Sequence, residues 1–393
     1  MSSAVPVLLV HNSADIYGAS RSLLRLVSRL DRNRFIPSVL LPVSGPLQLL
    51  LEEKGVRVFV QPSLRVITRP IFSSWRIFPF LLGFPFSVLQ TAALIKRGHF
   101  QLVHTNVGIV ISSALAAWCA RVPHLWHIRD WFQEFGFFWK PYSLYIRAFS
   151  QLVLCVSRPI ANQFPPSPKI RVVHNGLDLS DFPQVSDAER TAARLTFSLP
   201  KSAFVVGVVG RIKFVRKGQE FLLRAVKILR ERGVPAYCLL VGGHAPGSEN
   251  HILRMRQLAA QLGLTDEALF VGELNDPRPA YAAMDVFVLP SAQPEPFGGV
   301  VLEAMALELP VVATALGGSI EQVVEGVTGF LVPPANPEAI ADRLEKLAQS
   351  PALRQQLGHA GRARIQQVLS LDRAVVGIEA AYTELLQSNP TQR

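Results

Sequence analysis

Short β-branched runs alternate with helix-like segments along this chain of 393 residues, and the alternation occurs twice. Strands that alternate with helices build parallel sheets, and this length allows two separate cores. We therefore predict an α/β fold with two parallel-sheet domains, separated by a polar, Pro-bounded stretch at residues 182–200. The β-branched runs lie at residues 7–10, 37–41, 56–60, 102–106, 124–130, 153–157 and 170–175, and again at 204–210, 237–241, 269–271, 286–290 and 311–314.

One stretch, residues 289–310 (LPSAQPEPFGGVVLEAMALELP), carries the strongest functional signal. A buried strand ends at its start, and Gly298 and Gly299 then open a segment with the composition of a helix. The unpaired N–H groups of a helix's first turn favour an anion. Glu295 and Glu303 bracket this point, and carboxylates are good acceptors for sugar hydroxyls. Taken alone, the pair of Glu would more often be part of a solvated helix face.

A second loop follows the first strand of the second series and reads GRIKFVRKG, residues 210–218. Glycine at a strand end allows a tight turn, and Arg211 and Lys217 can converge on a diphosphate. We interpret Lys213 and Arg216 of the same loop as bystanders. For this loop in isolation, a solvated basic turn before a helix is the alternative.

These loops belong to a longer pattern. PEPFGGVVLEAMALELPVVAT is followed by GGSIE at residues 317–321 and by GVTGFLVPP at residues 326–334. The run closely resembles the donor-sugar signature of the retaining glycosyltransferases of family 4, also called group 1 glycosyltransferases. GR…KG resembles their phosphate clamp, and HNGLDLSDF at residues 174–182 resembles the NG-x-D segment of their domain junction. The resemblance covers most of the chain and implies the GT-B arrangement, with two Rossmann-like parallel-sheet domains facing across a cleft.

The resemblance also implies a division of labour. Residues 1–180 would form an N-terminal, acceptor-binding Rossmann-like domain. Residues 181–370 would form a C-terminal, nucleotide-sugar-binding Rossmann-like domain. Residues 371–393 would form a helix that crosses back to the N-terminal domain and a loose tail.

Roles for single residues follow from the same resemblance. Arg211 and Lys217 would neutralise the departing nucleoside diphosphate, and Glu303 would bind the ribose hydroxyls. His127 in WHIRD would lie at a strand end beside the donor sugar, although a lone His is more often structural. The predicted catalytic residues are His127, Arg211, Lys217 and Glu295. The predicted donor-binding residues are Gly18, Gly210, Glu273, Phe297, Gly298, Gly299, Val300 and Glu303, of which Glu273 would abut the nucleobase.

Two features concern the chemistry. No Asp-x-Asp element occurs in the chain, so we expect no metal and no cofactor, with the cations and the helix start stabilising the leaving group electrostatically. Retention of the anomeric configuration by front-face attack, with the β-phosphate as base, is what the resemblance implies.

The first loop reads Tyr17-Gly18-Ala19-Ser20-Arg21 where many relatives read Gly-Gly-Ala-Glu-Arg, and this departure leaves the identity of the acceptor open.

The formal charge of +11 fits an acidic substrate or an anionic membrane surface. We expect no nucleic-acid partner, because no Lys/Arg run interleaved with aromatics occurs. Residues 77–95 are apolar with basic flanks at Arg76 and Lys96. Pro79, Gly83 and Pro85 disfavour a membrane span, so in-plane docking fits better, as for the aromatic cluster at residues 131–149. Two helices buried in a large core remain the alternative.

The expected location is cytoplasmic, with peripheral attachment to the inner face of the plasma membrane left open. The N-terminus lacks the basic region and long apolar core of a signal peptide, and Cys119, Cys155 and Cys238 are interpreted as reduced core thiols.

The predicted function is transfer of a hexose from a UDP- or GDP-sugar to a lipid-linked or cell-surface glycan acceptor, as in polysaccharide biosynthesis. Alternatives are a nucleotide-sugar epimerase, a glycan phosphorylase, or a non-catalytic scaffold that keeps the GT-B fold.

Overall fold

The computed structural model describes residues 4–67, 75, 77–244 and 249–388. The chain divides into two compact units, one made of Met1–Asn175 with Leu371–Arg393 and the other of Gly176–Ser370. The first unit therefore ends a few residues before the boundary expected from the sequence, and the C-terminal segment groups with it. The predicted loose tail lies outside the described residues beyond position 388.

The described part of the chain contains the following regular elements. The strands are β1 (Val5–Val10), β2 (Phe35–Leu41), β3 (Arg57–Val60), β4 (Leu102–Thr105), β5 (His124–Ile128), β6 (Leu152–Cys155), β7 (Ile170–Val172), β8 (Phe204–Val209), β9 (Ala236–Val241), β10 (Ala268–Gly272), β11 (Val286–Leu289), β12 (Val311–Thr314) and β13 (Gly329–Val332). The helices are α1 (Gly18–Arg29), α2 (Pro46–Glu53), α3 (Ile77–Arg97), α4 (Ser112–Ala120), α5 (Trp139–Phe149), α6 (Arg158–Ala161), α7 (Asp187–Thr196), α8 (Gln219–Glu231), α9 (Asn250–Gln261), α10 (Arg278–Ala283), α11 (Gly299–Ala306), α12 (Ser319–Gln322), α13 (Pro337–Gln349), α14 (Pro351–Gln367) and α15 (Leu371–Gln387).

The first unit has a seven-stranded parallel sheet in the order β3-β2-β1-β4-β5-β6-β7. Crossovers between parallel strands are right-handed, so connections that run in opposite directions along a sheet lie on opposite faces. Helices α1 and α2 lead outward from β1 to β3, whereas α3, α4 and α5 lead back across the sheet to β6. The sheet is thus covered on both faces.

Strand β1 shows how the sequence fits this arrangement. Val7 and Leu9 belong to a core cluster with α1, α2 and α15, while Leu8 and Val10 belong to a second cluster with α3 and α4. Successive side chains of a strand point to opposite faces, so a strand buried on both sides is apolar at every position. This explains the continuous apolar run VPVLLV.

The second unit has a six-stranded parallel sheet in the order β10-β9-β8-β11-β12-β13. Strand β13 is absent from the predicted strands, since its sequence is only GFLV and begins with glycine. A Cβ at Gly329 would lie 2.0 Å from the carbonyl oxygen of Val311, so glycine lets this strand approach β12. The two parallel-sheet α/β domains predicted from the sequence are confirmed.

Two other expectations need correction. The predicted strands ending at residues 130, 157 and 175 end two or three residues earlier, because the polar residues there belong to loops. Cys119 is exposed on α4, whereas Cys155 and Cys238 are buried as expected. Helix α3 is continuous from Ile77 to Arg97, so Pro85 lies inside it without ending it.

Helix α3 is also, within the described ranges, the one helix long and apolar enough to cross a membrane by length and composition.

Candidate functional site

In the second unit, the predicted donor-binding segment forms the start of α11, next to the carboxyl end of β11. Gly298 precedes the helix with φ −70° and ψ 111°, and no side chain caps the first turn. Phe297 is buried beneath this turn, and Val300 is partly exposed. The backbone N–H groups of the turn therefore have no side-chain acceptor within the described structure, which is the condition for anion binding at a helix start.

A glycine pair holds this loop from one side. The N–H of Gly318 donates to the carbonyl of Glu295 at 2.7 Å. A Cβ would lie 2.2 Å from that same carbonyl oxygen if placed at Gly317, and 2.3 Å from the carbonyl oxygen of Pro296 if placed at Gly318. The side-chain amide of Gln322 donates to the carbonyl of Gly298 at 2.8 Å. The glycine pair that opens GGSIE thus fixes the backbone of the donor loop, a role that the sequence alone did not indicate.

The basic loop at residues 210–218 contacts the donor loop from the other side. Gly218 has φ +69°, and a Cβ there would lie 1.8 Å from the carbonyl oxygen of Pro290. The N–H groups of Ala292 and Gln293 donate to the carbonyl of Arg216 at 3.2 and 3.3 Å. Only glycine at position 218 lets the two loops come this close. As a result, Lys217 lies against the loop that follows β11.

Lys217 and Glu295 form an ion pair at this junction. The Nζ atom of Lys217 lies 2.6 Å from Oε1 of Glu295, and Oγ of Ser291 donates to the same oxygen at 3.1 Å. Burial by itself would raise the pKa of Glu295, but the charge and hydrogen bond of Lys217, the Ser291 bond and the charge of Arg216 outweigh it, so the pKa is lowered. Glu295 is therefore ionised at neutral pH.

The structure thus joins two of the predicted catalytic residues directly and adds Ser291, which was not among the predicted site residues. Arg216 is more than a bystander, since its charge acts on Glu295. Arg211 lies exposed at the start of the basic loop, and its carbonyl accepts a hydrogen bond from the Gln219 side chain at 3.1 Å.

Glu303 lies in the second turn of α11 and is only 3 % exposed. The hydroxyl of Tyr281 on α10 is 3.2 Å from its Oε2 atom and 3.3 Å from the carbonyl oxygen of Val300. Tyr281 is fully buried, so it orients this carboxylate from the core side. No motif marks Tyr281 in the sequence, because the pair is separated by 22 residues and only the packing of α10 on α11 brings it together.

The other predicted donor-binding positions of this unit lie at neighbouring strand ends. Gly210 follows β8 with φ +147°, and its N–H donates to the carbonyl of Val241 at 2.8 Å. Glu273 is exposed just after β10 and lies beside Gly243, where a Cβ would be 3.2 Å from its Oε2. The carboxyl ends of β8, β10 and β11 therefore share one edge, the place where open α/β sheets bind ligands.

His127 belongs to the first unit and is the fourth residue of β5, only 1 % exposed. Its ring stacks on that of His104, with centroids 5.5 Å apart and planes inclined by 21°. His104 in turn bonds to the hydroxyl of Tyr382 on α15 at 2.5 Å. The histidine is thus held in the sheet by packing. His104 of the neighbouring strand β4 and Asn106, which directly follows that strand, are both fully buried.

Burial and Arg129 together determine the protonation of His127. The Nη2 atom of Arg129 lies 3.3 Å from Nδ1 of His127, and arginine can only donate. Burial lowers the pKa of Arg129 to about 10, so it stays charged at neutral pH. Burial, with the nearby charge of Arg129, also lowers the pKa of His127 well below its usual value. His127 is therefore neutral, Nδ1 accepts, and Nε2 carries the proton.

That Nε2–H group has no hydrogen-bond partner among the described residues. A buried donor without a partner is costly and is found where a ligand or water completes the bond. Arg129 itself is fixed by the carbonyl of Asn106, at 3.1 Å, and by the side chain of Asn175. His127 was predicted as a site residue from the sequence, whereas Arg129, two residues further on, was not.

The first loop, where the sequence departs from the family pattern, is held by an internal network. Asn106 Nδ2 lies 3.2 Å from Nδ1 of His11, whose Nε2 lies 3.0 Å from Oγ of Ser20. Ser20 donates to Asp15 at 2.9 Å. Ser20, which stands where relatives have Glu, is therefore buried, while Gly18 is exposed at the start of α1 with no atom within 4 Å of a Cβ placed on it.

Across the described ranges, no group of three or more His, Cys, Asp and Glu side chains could hold a metal ion.

Known proteins of one family resemble this chain. Residues 190–364 match the family model described as "Glycosyl transferases group 1", and residues 16–181 match "Glycosyltransferase Family 4". A D-inositol 3-phosphate glycosyltransferase of Streptomyces griseus subsp. griseus is 31 % identical over 79 % of this chain and 72 % of its own length. The capsular polysaccharide biosynthesis glycosyltransferase CapM of Staphylococcus aureus is 36 % identical over 47 % of either chain, so the match spans about half of that relative.

Solved structures show the same fold. The crystal structure of Anabaena Alr3699/HepE in complex with UDP superimposes with a TM-score of 0.82 at 23 % identity, covering 97 % of this chain and 100 % of that one. Sucrose-phosphate synthase from Thermosynechococcus elongatus superimposes with a TM-score of 0.76 at 23 % identity, covering 98 % and 100 %.

Proposed function

Because the chain belongs to the group 1 glycosyltransferases and has their GT-B fold, we propose that it moves a hexose from a UDP- or GDP-sugar to a lipid-linked or cell-surface glycan acceptor. The observation that carries this proposal is the Lys217–Glu295 pair beside the uncapped start of α11. Neighbours solved with UDP and with UDP-glucose support a uridine nucleotide as donor. The name of CapM supports a polysaccharide product. The proposal includes retention of anomeric configuration, catalysis without a metal ion, and peripheral attachment to an anionic membrane.

The leaving diphosphate would bind at the start of α11. The free N–H groups of that turn offer fixed donors, and Lys217 adds a charge beside them. Lysine has three N–H donors and spends one on Glu295, so it can bond to phosphate without releasing the carboxylate. Because these donors are already held in place by Gly218 and Gly317, little reorganisation is needed when charge develops on the leaving group.

Glu295 and Glu303 would position the two ends of the donor. Both hydrogen bonds that Glu295 accepts within the described chain end on Oε1, which leaves Oε2 to accept from a sugar hydroxyl. Glu303, oriented by Tyr281, would bind the ribose hydroxyls with the small part of its carboxylate that is exposed.

His127 would act as a hydrogen-bond donor and not as a base. Its proton is on Nε2 and its Nδ1 is occupied by Arg129. Its lowered pKa makes it a poor proton acceptor at neutral pH. The proton of the attacking hydroxyl would instead pass to the departing phosphate, with attack on the face from which that phosphate leaves.

The test is thermal stabilisation by UDP, GDP and ADP, each with and without EDTA. A ligand at 100 times its Kd stabilises the native state by about 2.7 kcal/mol. We expect one nucleotide to raise the Tm of the second unit regardless of EDTA, and Lys217→Ala to weaken this response and to slow transfer by on the order of 10²-fold.

A nucleotide that raises the Tm, without any hydrolysis of the corresponding nucleotide sugar, would favour the alternative of a non-catalytic scaffold. The altered Tyr17–Arg21 loop is the observation that supports this alternative. No response to any of the three nucleotides would refute the donor site.

A further inference from the structure

Helix α3 presents an apolar stripe to solvent. Phe78, Leu82, Phe86 and Leu89 follow one another at helical spacing, and all four are exposed, Leu82 by 82 %. No residue of the first half of the helix, residues 77–86, is buried, although the structure describes all of them. This contradicts the alternative of a helix buried in a core. Exposed apolar stripes of this length mark interaction sites.

The second half of α3 is anchored to the unit. Val88, Ala92 and Ile95 join the core beneath it. Ser87 bonds to Ser112 of α4 at 2.9 Å, and Thr91 bonds to Gln61 at 3.0 Å. A membrane span would break these buried bonds and expose the core, so the helix is built to lie along a surface.

The neighbouring helices extend the surface. Helices α3, α4 and α5 cover the same face of the first sheet, and α4 and α5 are joined by the edge contact of Trp118 with Phe149 at 6.1 Å. Trp118 and Leu144 are exposed, as is Phe137 just before α5. Most other rings of residues 131–149 pack on one another, among them Trp139 on Phe132, so only part of this cluster reaches solvent.

Charge identifies the partner. Residues 54–177 contain fourteen Lys and Arg but only two Asp and Glu, Asp130 and Glu134, so this segment carries a charge of +12 in a chain of +11. The rest of the chain is nearly neutral. Helices α3, α4 and α5 contain no acidic residue at all, and Lys96, Arg97 and Lys140 are exposed on them.

We propose that the exposed side of the α3–α4–α5 layer, here called the docking face, binds in the plane of an anionic phospholipid bilayer. Apolar side chains of α3 and the rings of Trp118 and Phe137 enter the interfacial region, and the basic residues contact lipid phosphates. A protein partner would need an acidic surface with a matching apolar groove, whereas a phosphatidylglycerol-containing bilayer offers both properties everywhere. This deepens the proposed function and rests on it in one respect, since a lipid-linked acceptor makes membrane contact useful.

The test uses the full chain with vesicles of phosphatidylcholine alone or mixed equally with phosphatidylglycerol. We expect flotation only with the mixed vesicles, and release when salt rises from about 0.1 M to about 1 M, which shortens the Debye length from about 10 to about 3 Å. All five Trp lie in the first unit, and Trp75 and Trp118 are exposed. Binding should therefore shift tryptophan emission to the blue.

Paired variants separate the docking face from general surface effects. Leu82→Glu with Phe86→Glu should lower the vesicle partition coefficient at least about tenfold, since each loses the burial of a large apolar side chain. The matched control, Leu195→Glu with Leu253→Glu, changes two comparably exposed leucines on α7 and α9 of the second unit and should leave binding unchanged.

A second pair tests the charges. Lys96→Ala and Lys140→Ala should each weaken binding about fivefold, and Lys201→Ala in the second unit should not. Equal binding to neutral vesicles, equal binding of the Leu82/Phe86 variant, or no binding at low salt would each overturn the proposal. Dimerisation in solution that the Leu82/Phe86 variant abolishes would overturn it in favour of a second copy. Stabilisation by UDP in the same variants reports on the donor site separately, so failure of one proposal is distinguishable from failure of the other.

Discussion

Replacing Gly218 with Ala would test whether contact between two loops positions the donor site. Gly218 has φ +69°, which disfavours any residue with a Cβ, and that Cβ would lie 1.8 Å from the carbonyl oxygen of Pro290. The variant must therefore either strain its backbone or push the basic loop away from the loop after β11. In the second case Lys217 moves away from Glu295.

The size of the effect follows from a comparison with Gly263. Gly263 has the same φ of +69°, but a Cβ there meets nothing within 4 Å. Gly263→Ala should cost only the left-handed conformation, about 1–2 kcal/mol. Gly218→Ala should cost that amount and a further 1–3 kcal/mol, roughly, for the overlap. In a domain of this size, each kcal/mol lowers the Tm by about 2–4 °C.

Calorimetric unfolding of both variants, with and without UDP, measures both effects. We expect Gly218→Ala to melt below Gly263→Ala and to lose most of the UDP response, because the basic loop that carries Lys217 would be displaced from the loop after β11. If the two variants melt together and respond equally to UDP, the contact does not position Lys217 and the reasoning fails.

Three further predictions concern the first unit. Gly18→Ala should raise the free energy of unfolding by up to about 1 kcal/mol, because a Cβ meets no atom there and alanine favours a helix. A simultaneous loss of turnover would show that a ligand approaches this backbone. Unchanged turnover would remove Gly18 from the site. Arg129→Met should remove the hydrogen bond to Nδ1 of His127 and leave a mixture of its two tautomers. The ¹⁵N chemical shifts of labelled histidine would show this mixture, and a single unchanged tautomer would contradict the role of Arg129. Burial lowers the pKa of His11 and of His124 to about 3, so stability is full above pH 6.5 and is lost as pH falls from there towards 3. At pH 5.5 each histidine should lower the free energy of unfolding by about 1.3 kcal/mol relative to pH 7. Urea unfolding followed by tryptophan fluorescence reports only this unit, and an unchanged urea midpoint would refute the prediction.

The sequence allowed prediction of the features that depend on local periodicity. Buried parallel strands are apolar at every position, so runs such as VPVLLV and VFVL are visible without any knowledge of their neighbours. The loops around Lys217 and Glu295 could be located because glycine, charge and a following helix occur together within a few residues, but the roles predicted for them rest on the family resemblance.

What the sequence could not show is contact between distant segments. Tyr281 reaches Glu303 from another helix, and Gly317 is needed only because the backbone of Glu295 lies against it. Cys119 was misassigned for a similar reason. Helix α4 is apolar on nearly all sides, so its composition does not reveal which side faces solvent.

The position of α15 has a consequence for how the protein is made. This helix contributes Val375, Ile378, Tyr382 and neighbouring residues to the core cluster that also contains α1 and β1, and Tyr382 packs edge-on against Phe35 at 5.3 Å. Residues 1–175 therefore lack part of their core until α15 has been synthesised, whereas Gly176–Ser370 is continuous and can fold as soon as it emerges. During translation, the earlier half must wait for the later one, with its apolar strands available to chaperones in the meantime.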